Sequence, residues 1–264
     1  MDCKKSNLSD SPKTKFLKIS VNIIAPILTH IINCCIQEGV FPKSLKIAEV
    51  VPIFKSGSKT LCNNYRPISL LSPFTKIVES YLYNEINDFL SKNKVLYNLQ
   101  YGFREKSSTE LAVSQITDDL SDSIEKGMIN CCIFLDLAKA FNTVNHEILL
   151  HKLEYYGIRG ITLELMKSFL SNRQQLTRIN NHKSSAKLIN SGVPQGSILG
   201  PLLFLRYIND IAYTSDMKVR LYADDACLSL EHRDPIILEQ KTNYELKKIY
   251  QWLENNKLIT NVSK

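Results

Sequence analysis

The stretch Lys218–Leu230, KVRLYADDACLSL, decides how the rest of the chain is read. Val219, Leu221 and Ala223 alternate with Lys218, Arg220 and Tyr222, the period of a half-buried strand, and Ala226–Leu230 resume an apolar pattern after two consecutive acids. The pattern predicts a hairpin with Asp224 and Asp225 at its tip. Two adjacent carboxylates repel each other unless a cation lies between them. Mg²⁺ suits that role, being a hard ion that takes carboxylate oxygens and shares its remaining positions with phosphates. Asp pairs also occur in ordinary turns, because Asp tolerates turn geometry and solvates cheaply, so this pair alone does not establish a metal site.

A second acid changes the balance. Ile129–Leu135, INCCIFL, is a continuous apolar run of the kind that fills a buried central strand, and Asp136 follows it directly. A carboxylate delivered by a buried strand is costly without a partner. Placed beside the hairpin, Asp136 would meet Asp224 and two metals could be bridged. Side chains alternate along a strand, so Asp224 and Asp225 start out facing opposite ways, and Asp224 is expected to be the firmer ligand.

Six blocks now stand in order: AEVVPIFKSG (Ala48–Gly57), NYRPISLLSPFTKIVE (Asn64–Glu79), QYGFREKSST (Gln100–Thr109), FLDLAKAF (Phe134–Phe141), SGVPQGSILGPLLF (Ser191–Phe204) and LYADD (Leu221–Asp225). Together they resemble the reverse transcriptase of a non-LTR retrotransposon of the jockey or LINE-like kind, over a span from about Lys5 to the last residue. The resemblance implies an α+β right-hand polymerase, with fingers and a ferredoxin-like palm sheet flanked by helices. On that reading residues 1–14 are a loose segment, 15–128 are mainly fingers with part of the palm, and 129–264 are a palm cut short at its C-terminal end, with the thumb absent. The implied reaction is RNA-directed DNA synthesis by two-metal nucleotidyl transfer, with Mg²⁺ or Mn²⁺ on Asp136, Asp224, Asp225 and the Leu137 carbonyl. RNA template, DNA primer and deoxynucleoside triphosphates are the implied partners. The alternative is a catalytically inert remnant that folds and binds RNA without extending a primer.

The resemblance also assigns roles residue by residue. Lys55 and Arg66 would close over the triphosphate, where a cation offsets charge developing as pyrophosphate leaves. Lys55 in KSGSK reads equally well as a solvated hairpin tip. Phe141 would exclude a 2′-hydroxyl, and is also a natural core residue. Gln195 is expected near the nucleotide, and Arg104, Gly196, Ser197 and Tyr222 near template and primer. Two departures stand out: Asn142 where relatives mostly have aspartate, and Arg206 inside an apolar run, where it must reach solvent or a partner.

Bulk properties agree with a polyanionic partner without demanding one. The chain has 264 residues, 44% hydrophobic content and a net charge of +7, enough to bury a sizeable core. Residues 1–60 hold nine Lys, no Arg and four acids. Seven cysteines, with adjacent pairs at Cys34-Cys35 and Cys131-Cys132, form neither a zinc spacing nor a disulfide framework and read as reduced residues of an intracellular protein, nuclear or cytoplasmic. Lys4 and Lys5 lead into a polar stretch, so no signal peptide is expected.

Local signals set further expectations. Phe16–Phe41 is apolar but broken by Lys18, Asn22, Pro26, His30 and Asn33, which predicts packed helices and no membrane span, with Pro26 opening a new helix. Ser72-Pro73 should cap a helix whose face carries Phe74, Ile77, Val78, Tyr81, Leu82, Phe89 and Leu90. Ser107 and Glu110 fit a capping box. Residues 172–190 read as a hairpin turned at Asn181. The helix bearing Leu246, Ile249, Tyr250 and Leu253 is expected to leave its apolar face uncovered, with self-association through that edge.

Overall fold

The structure, a computed structural model, describes Leu8 and residues 11–261. Of the loose segment expected over residues 1–14, residues 1–7, 9 and 10 lie outside the described residues, and Thr14 opens the first helix. Helices α1 (Thr14–Ile19) and α2 (Val21–Glu38) precede strands β1 (Ile47–Phe54) and β2 (Tyr65–Leu70) and helix α3 (Pro73–Lys92). Next come α4 (Thr109–Glu125), β3 (Ile129–Leu135), α5 (Ala140–Thr143), α6 (His146–Tyr155) and α7 (Gly160–Leu170). Strands β4 (Arg173–Ile179), β5 (His182–Lys183) and β6 (Lys187–Ile189) lead to α8 (Leu199–Ile208), β7 (Lys218–Tyr222), β8 (Asp225–His232) and α9 (Pro235–Asn255). Two compact units result, one from Met1–Phe89 with His146–Gly200, the other from Leu90–Asn145 with Pro201–Lys264.

The first unit is built on a five-stranded sheet in the order β2-β1-β4-β5, with β6 also on β4. Strands β1 and β2 form an antiparallel hairpin ending at the pair Phe54↔Tyr65, while β1 runs parallel to β4. Glu49 sits buried in the middle of apolar β1 because Arg178 and Lys183 reach its carboxylate, the latter at 3.5 Å. The 172–190 hairpin forms, but Asn180 and not Asn181 holds the left-handed turn conformation, and the chain returns to pair β6 with the start of β4. Ser72 caps α3 as expected, accepting from the Phe74 amide at 3.3 Å. The buried face of α3 is Val78, Leu82, Ile86 and Leu90, together with Thr75 and Glu79, whereas Tyr81 and Phe89 are exposed.

Two expectations about the N-terminal helices are corrected. The break falls at Ser20, whose hydroxyl folds back onto the Phe16 carbonyl at 2.8 Å, and Pro26 lies inside α2. That helix packs only in part: Cys35 is buried, but Ile23 is 76% exposed. By length and composition alone, α2 is the one helix among the described residues long and apolar enough to cross a membrane.

The second unit carries an antiparallel sheet in the order β3-β8-β7. The apolar run of β3 is therefore an outer strand and not a central one, and Phe134 is 73% exposed. Continuous apolarity arises here because α4 and α9 both pack on β3, so each of its faces is partly covered. Helix α4 starts one residue later than a capping box on Ser107 requires: Ser108 accepts from the Leu111 amide. Arg220, assigned by alternation to the polar face, is 3% exposed and pairs with Asp119 of α4. Helix α9 opens on Asp234, which accepts from the Ile236 and Ile237 amides, with Pro235 in the first turn. Its apolar face is covered only in part: Leu238, Ile249, Trp252 and Leu253 are buried and the helix packs against β8 and β3, whereas Leu246 is half-buried and Tyr250 is 61% exposed.

Glu79 is a costly buried group of the first unit. It is fully buried on α3, accepts from the Ile198 amide at 2.7 Å and lies near Arg173. Burial pushes its carboxyl up from the ordinary range, and the Ile198 bond and Arg173 only partly oppose that. A carboxyl with a raised folded-state pKa destabilises the protein increasingly as pH rises from the unfolded value toward the folded one. Glu79→Gln should therefore gain stability relative to the parent as pH increases above about 4.3, levelling off once Glu79 is ionised, as read by urea denaturation at a series of pH values.

Candidate active site

The hairpin β7–β8 turns on two residues, Ala223 and Asp224, between the paired Tyr222 and Asp225. Ala223 has φ +57°, an unusual conformation for a residue with a side chain, and it is held there from outside the hairpin. The Gln100 side chain, 1% exposed, accepts from both the Gly102 amide (2.8 Å) and the Ala223 amide (3.2 Å). The Leu99–Tyr101 backbone runs beside β7, Leu221 donating to Leu99 at 2.9 Å and Tyr101 to Leu221 at 2.8 Å. Gly102 approaches so closely that a Cβ there would lie 2.2 Å from the Ala223 nitrogen. The QYG segment thus braces the acidic turn.

Register brings the second acid alongside. The β3–β8 ladder ends on the pair Leu135↔Ala226, and Asp136 and Asp225 are the next residues along their own segments. Directly opposed residues share a face, which gives Asp225 one side of the sheet with Tyr222. Asp224 occupies the turn and not the ladder. Just past Asp136, Leu137 bridges Thr260 in an antiparallel pair flanked by bonds from the Asn261 amide to the Asp136 carbonyl (2.8 Å) and from the Ala138 amide to the Ile259 carbonyl (2.7 Å). This pattern makes Leu137 and Thr260 a non-hydrogen-bonded pair, so the Leu137 carbonyl points away from the 259–261 segment.

Phe141 is half-buried, stacked on Phe204 at 4.5 Å and edge-on to Phe103 at 6.2 Å. Arg104 donates through one guanidinium nitrogen to the carbonyls of Tyr97, Asn98 and Gln100, which ties down its own loop. Asn142 is exposed, while Arg206 is 1% exposed and has its partner inside the protein instead of in solvent.

The first unit holds the remaining candidates. Lys55 follows β1, its amide bonded to the Asn64 carbonyl at 2.9 Å, and Arg66 pairs with Ile53, so the two cations are diagonal neighbours on one face of the hairpin, both exposed. Gln195 is half-buried, and its carbonyl accepts from the Ser69 amide at 2.7 Å. Gly196 has φ +127°, and a Cβ there would lie 2.3 Å from the Ser69 carbonyl oxygen. Ser197 is buried, and its hydroxyl accepts from the Gly200 amide at 3.0 Å. The 193–198 loop is thus locked to β2, the strand that carries Arg66.

Residues 53–264 match the sequence profile described as reverse transcriptase (RNA-dependent DNA polymerase). The chain belongs to the reverse transcriptase family. It is 32% identical over 216 residues to the probable RNA-directed DNA polymerase from transposon BS of Drosophila melanogaster, covering 76% of this chain and 23% of that protein. It is 30% identical over 246 residues to the RNA-directed DNA polymerase from mobile element jockey of the same organism, covering 90% and 27%. The chain thus spans about a quarter of the length of these relatives. Its fold is like that of Candida albicans telomerase, with TM-score 0.56 and 15% identity over 85% of this chain and 42% of that one. Apo telomerase from Candida tropicalis gives the same TM-score at 12% identity, over 98% and 59%.

Reverse transcriptases generally use a divalent metal, and a reverse transcriptase domain binds template–primer and nucleotide. Among the described residues no three His, Cys, Asp or Glu side chains form a metal-holding group on their own. The donors that lie together in sequence register, two carboxylates and a backbone carbonyl directed past them, are all oxygens, the set a hard divalent ion takes. The reverse transcriptase chain fits the ion by donor chemistry. What the sequence did not reveal is the brace on the turn, because Gln100 is 123 residues away from Ala223. Gly102→Ala should destabilise the protein by at least about 2 kcal/mol, since the clash is with backbone. Thermal denaturation should show the loss, and hydrogen exchange should show faster opening of the Ala223 amide.

Proposed function

We propose that this chain is the fingers-and-palm part of an RNA-directed DNA polymerase of a jockey-like non-LTR element, with Asp136, Asp224 and Asp225 as its metal-binding acids. The observation that supports this reading is the β3–β8–β7 register: Asp136 and Asp225 are the next residues beyond the last β3–β8 pair, Leu135↔Ala226, and Asp224 lies in the adjoining turn. Bound Mg²⁺ or Mn²⁺ would activate the primer 3′-hydroxyl and offset charge on the leaving pyrophosphate. Asp136 and Asp225 would hold that charge, with Asp224 and the Leu137 carbonyl completing the protein's share.

Lys55 and Arg66, on one face of the β1–β2 hairpin, are suited to grip a triphosphate, Arg66 through two hydrogen bonds at once. Gln195 and Gly196, fixed on β2 through Ser69, would contact the incoming nucleotide and the template, with Ser197 shaping the loop from within. Tyr222, beside Asp225 in the ladder, would meet the primer end. Arg104 has one guanidinium nitrogen committed to its own loop, so a template contact would use the other. Phe141, clamped between Phe204 and Phe103, has the rigidity that a steric gate against a 2′-hydroxyl requires.

Extension of oligo(dT) on poly(rA) with Mg²⁺ or Mn²⁺ tests the reading. Purified protein should extend the primer, and Asp136→Asn or Asp224→Asn should abolish extension while template–primer binding persists. Absence of extension by the parent chain would favour an inert remnant, and activity in either variant would remove that acid from the site. Phe141→Ala should raise ribonucleotide incorporation relative to deoxynucleotide, and an unchanged ratio would leave Phe141 with a packing role only.

A further inference from the structure

The segment after α9 folds back onto the strand end that carries Asp136. Two backbone bonds join Ile259–Asn261 to Asp136–Ala138, and a third bond involves side chains: Asn261 Nδ2 donates to Asp136 Oδ2 at 3.0 Å. The pair is 125 residues apart in sequence, and both members are half-buried. We propose that Asn261 is a positioning residue that sets the orientation of the Asp136 carboxylate for metal binding, an inference that rests on the metal-holding role assigned to Asp136 above.

The chemistry of the pair supports this. Rotation of a carboxylate about its last bond is loosely restrained, and an amide donor on one oxygen fixes the plane of both. A neutral amide does so without cancelling the negative charge, as a lysine or arginine in the same place would. The Asn261 backbone bond to the Asp136 carbonyl holds the amide in reach, so the donor does not depend on a mobile side chain alone. Hydrogen-bond partners of metal-binding side chains typically change metal affinity by about 10–100-fold when removed.

Mn²⁺ titration of the purified chain, followed by electron paramagnetic resonance of the free ion, tests this without requiring catalysis. The parent is compared with Asp136→Asn, Asn261→Ala and Asn261→His, with melting temperature as the control for folding. Asp136→Asn should lose most of the binding, Asn261→Ala should weaken it about tenfold, and Asn261→His, whose Nδ1 can donate from nearly the same place, should recover most of it. Asn261→Leu, which keeps the volume and lacks the donor, replaces Asn261→Ala if that variant does not fold. Loss of binding in Asp136→Asn with parental affinity in the Asn261 variants would overturn the role of Asn261 and leave the metal site standing. Parental affinity in Asp136→Asn, or no Mn²⁺ binding by the parent, would overturn both.

Discussion

The two-residue turn between β7 and β8 depends on Ala223 keeping a left-handed backbone that its side chain disfavours. Nothing within the hairpin explains that choice, since residues such as Asn and Gly adopt it at lower cost. The explanation lies outside, in the bond from the Ala223 amide to Gln100 and in the close approach of Gly102. A turn determined from two directions holds Asp224 and Asp225 in one arrangement, and strain of this kind persists only where the surroundings over-determine it. On the proposed role of these acids, the consequence for chemistry would be pre-organisation: they would not have to find their geometry when nucleotide arrives.

A similar device recurs at several buried charges among the described residues. Glu49 is met by Arg178 and Lys183, Arg220 by Asp119, and Glu79 by the Ile198 amide with Arg173 nearby. Buried ion pairs contribute little net stability, because desolvation offsets most of the attraction, but breaking one is expensive. Their effect is to tie elements distant in sequence into one register. Glu49 ties β1 to β4, whose parallel pairing has no local turn to define it, and to β5 of the hairpin that follows. Arg220 ties α4 to the strand that leads into the acidic turn.

These contacts mark the limit of what the sequence disclosed. The β7–β8 hairpin, the strand ending at Asp136, the Ser72-Pro73 helix start and the covering helix after the hairpin were legible, since each is a local pattern of period or cap. Position within a sheet was not: an apolar run such as INCCIFL reads as central, yet β3 is outermost, because helices on both faces impose the same composition as flanking strands. Arg220 was misplaced for a related reason, since alternation assigns a face but cannot tell that Asp119 will cover it. The Ser108 cap and the Asn180 turn missed by one residue each, the usual margin where adjacent residues of the same type compete for one role.

The braces at the acidic site share a feature that local reading cannot supply. Gln100 and Asn261 are amides, and each makes its decisive bond across more than a hundred residues. An amide suits both places for one reason: it offers a hydrogen bond of fixed geometry and brings no charge. Near carboxylates meant for a cation, a basic brace would compete with the ion and an acidic one would add repulsion. Neutral braces leave the local charge to the three acids, so on the proposed metal role the affinity for a divalent ion would be set by their number and orientation, and orientation is the part that Gln100 and Asn261 would control.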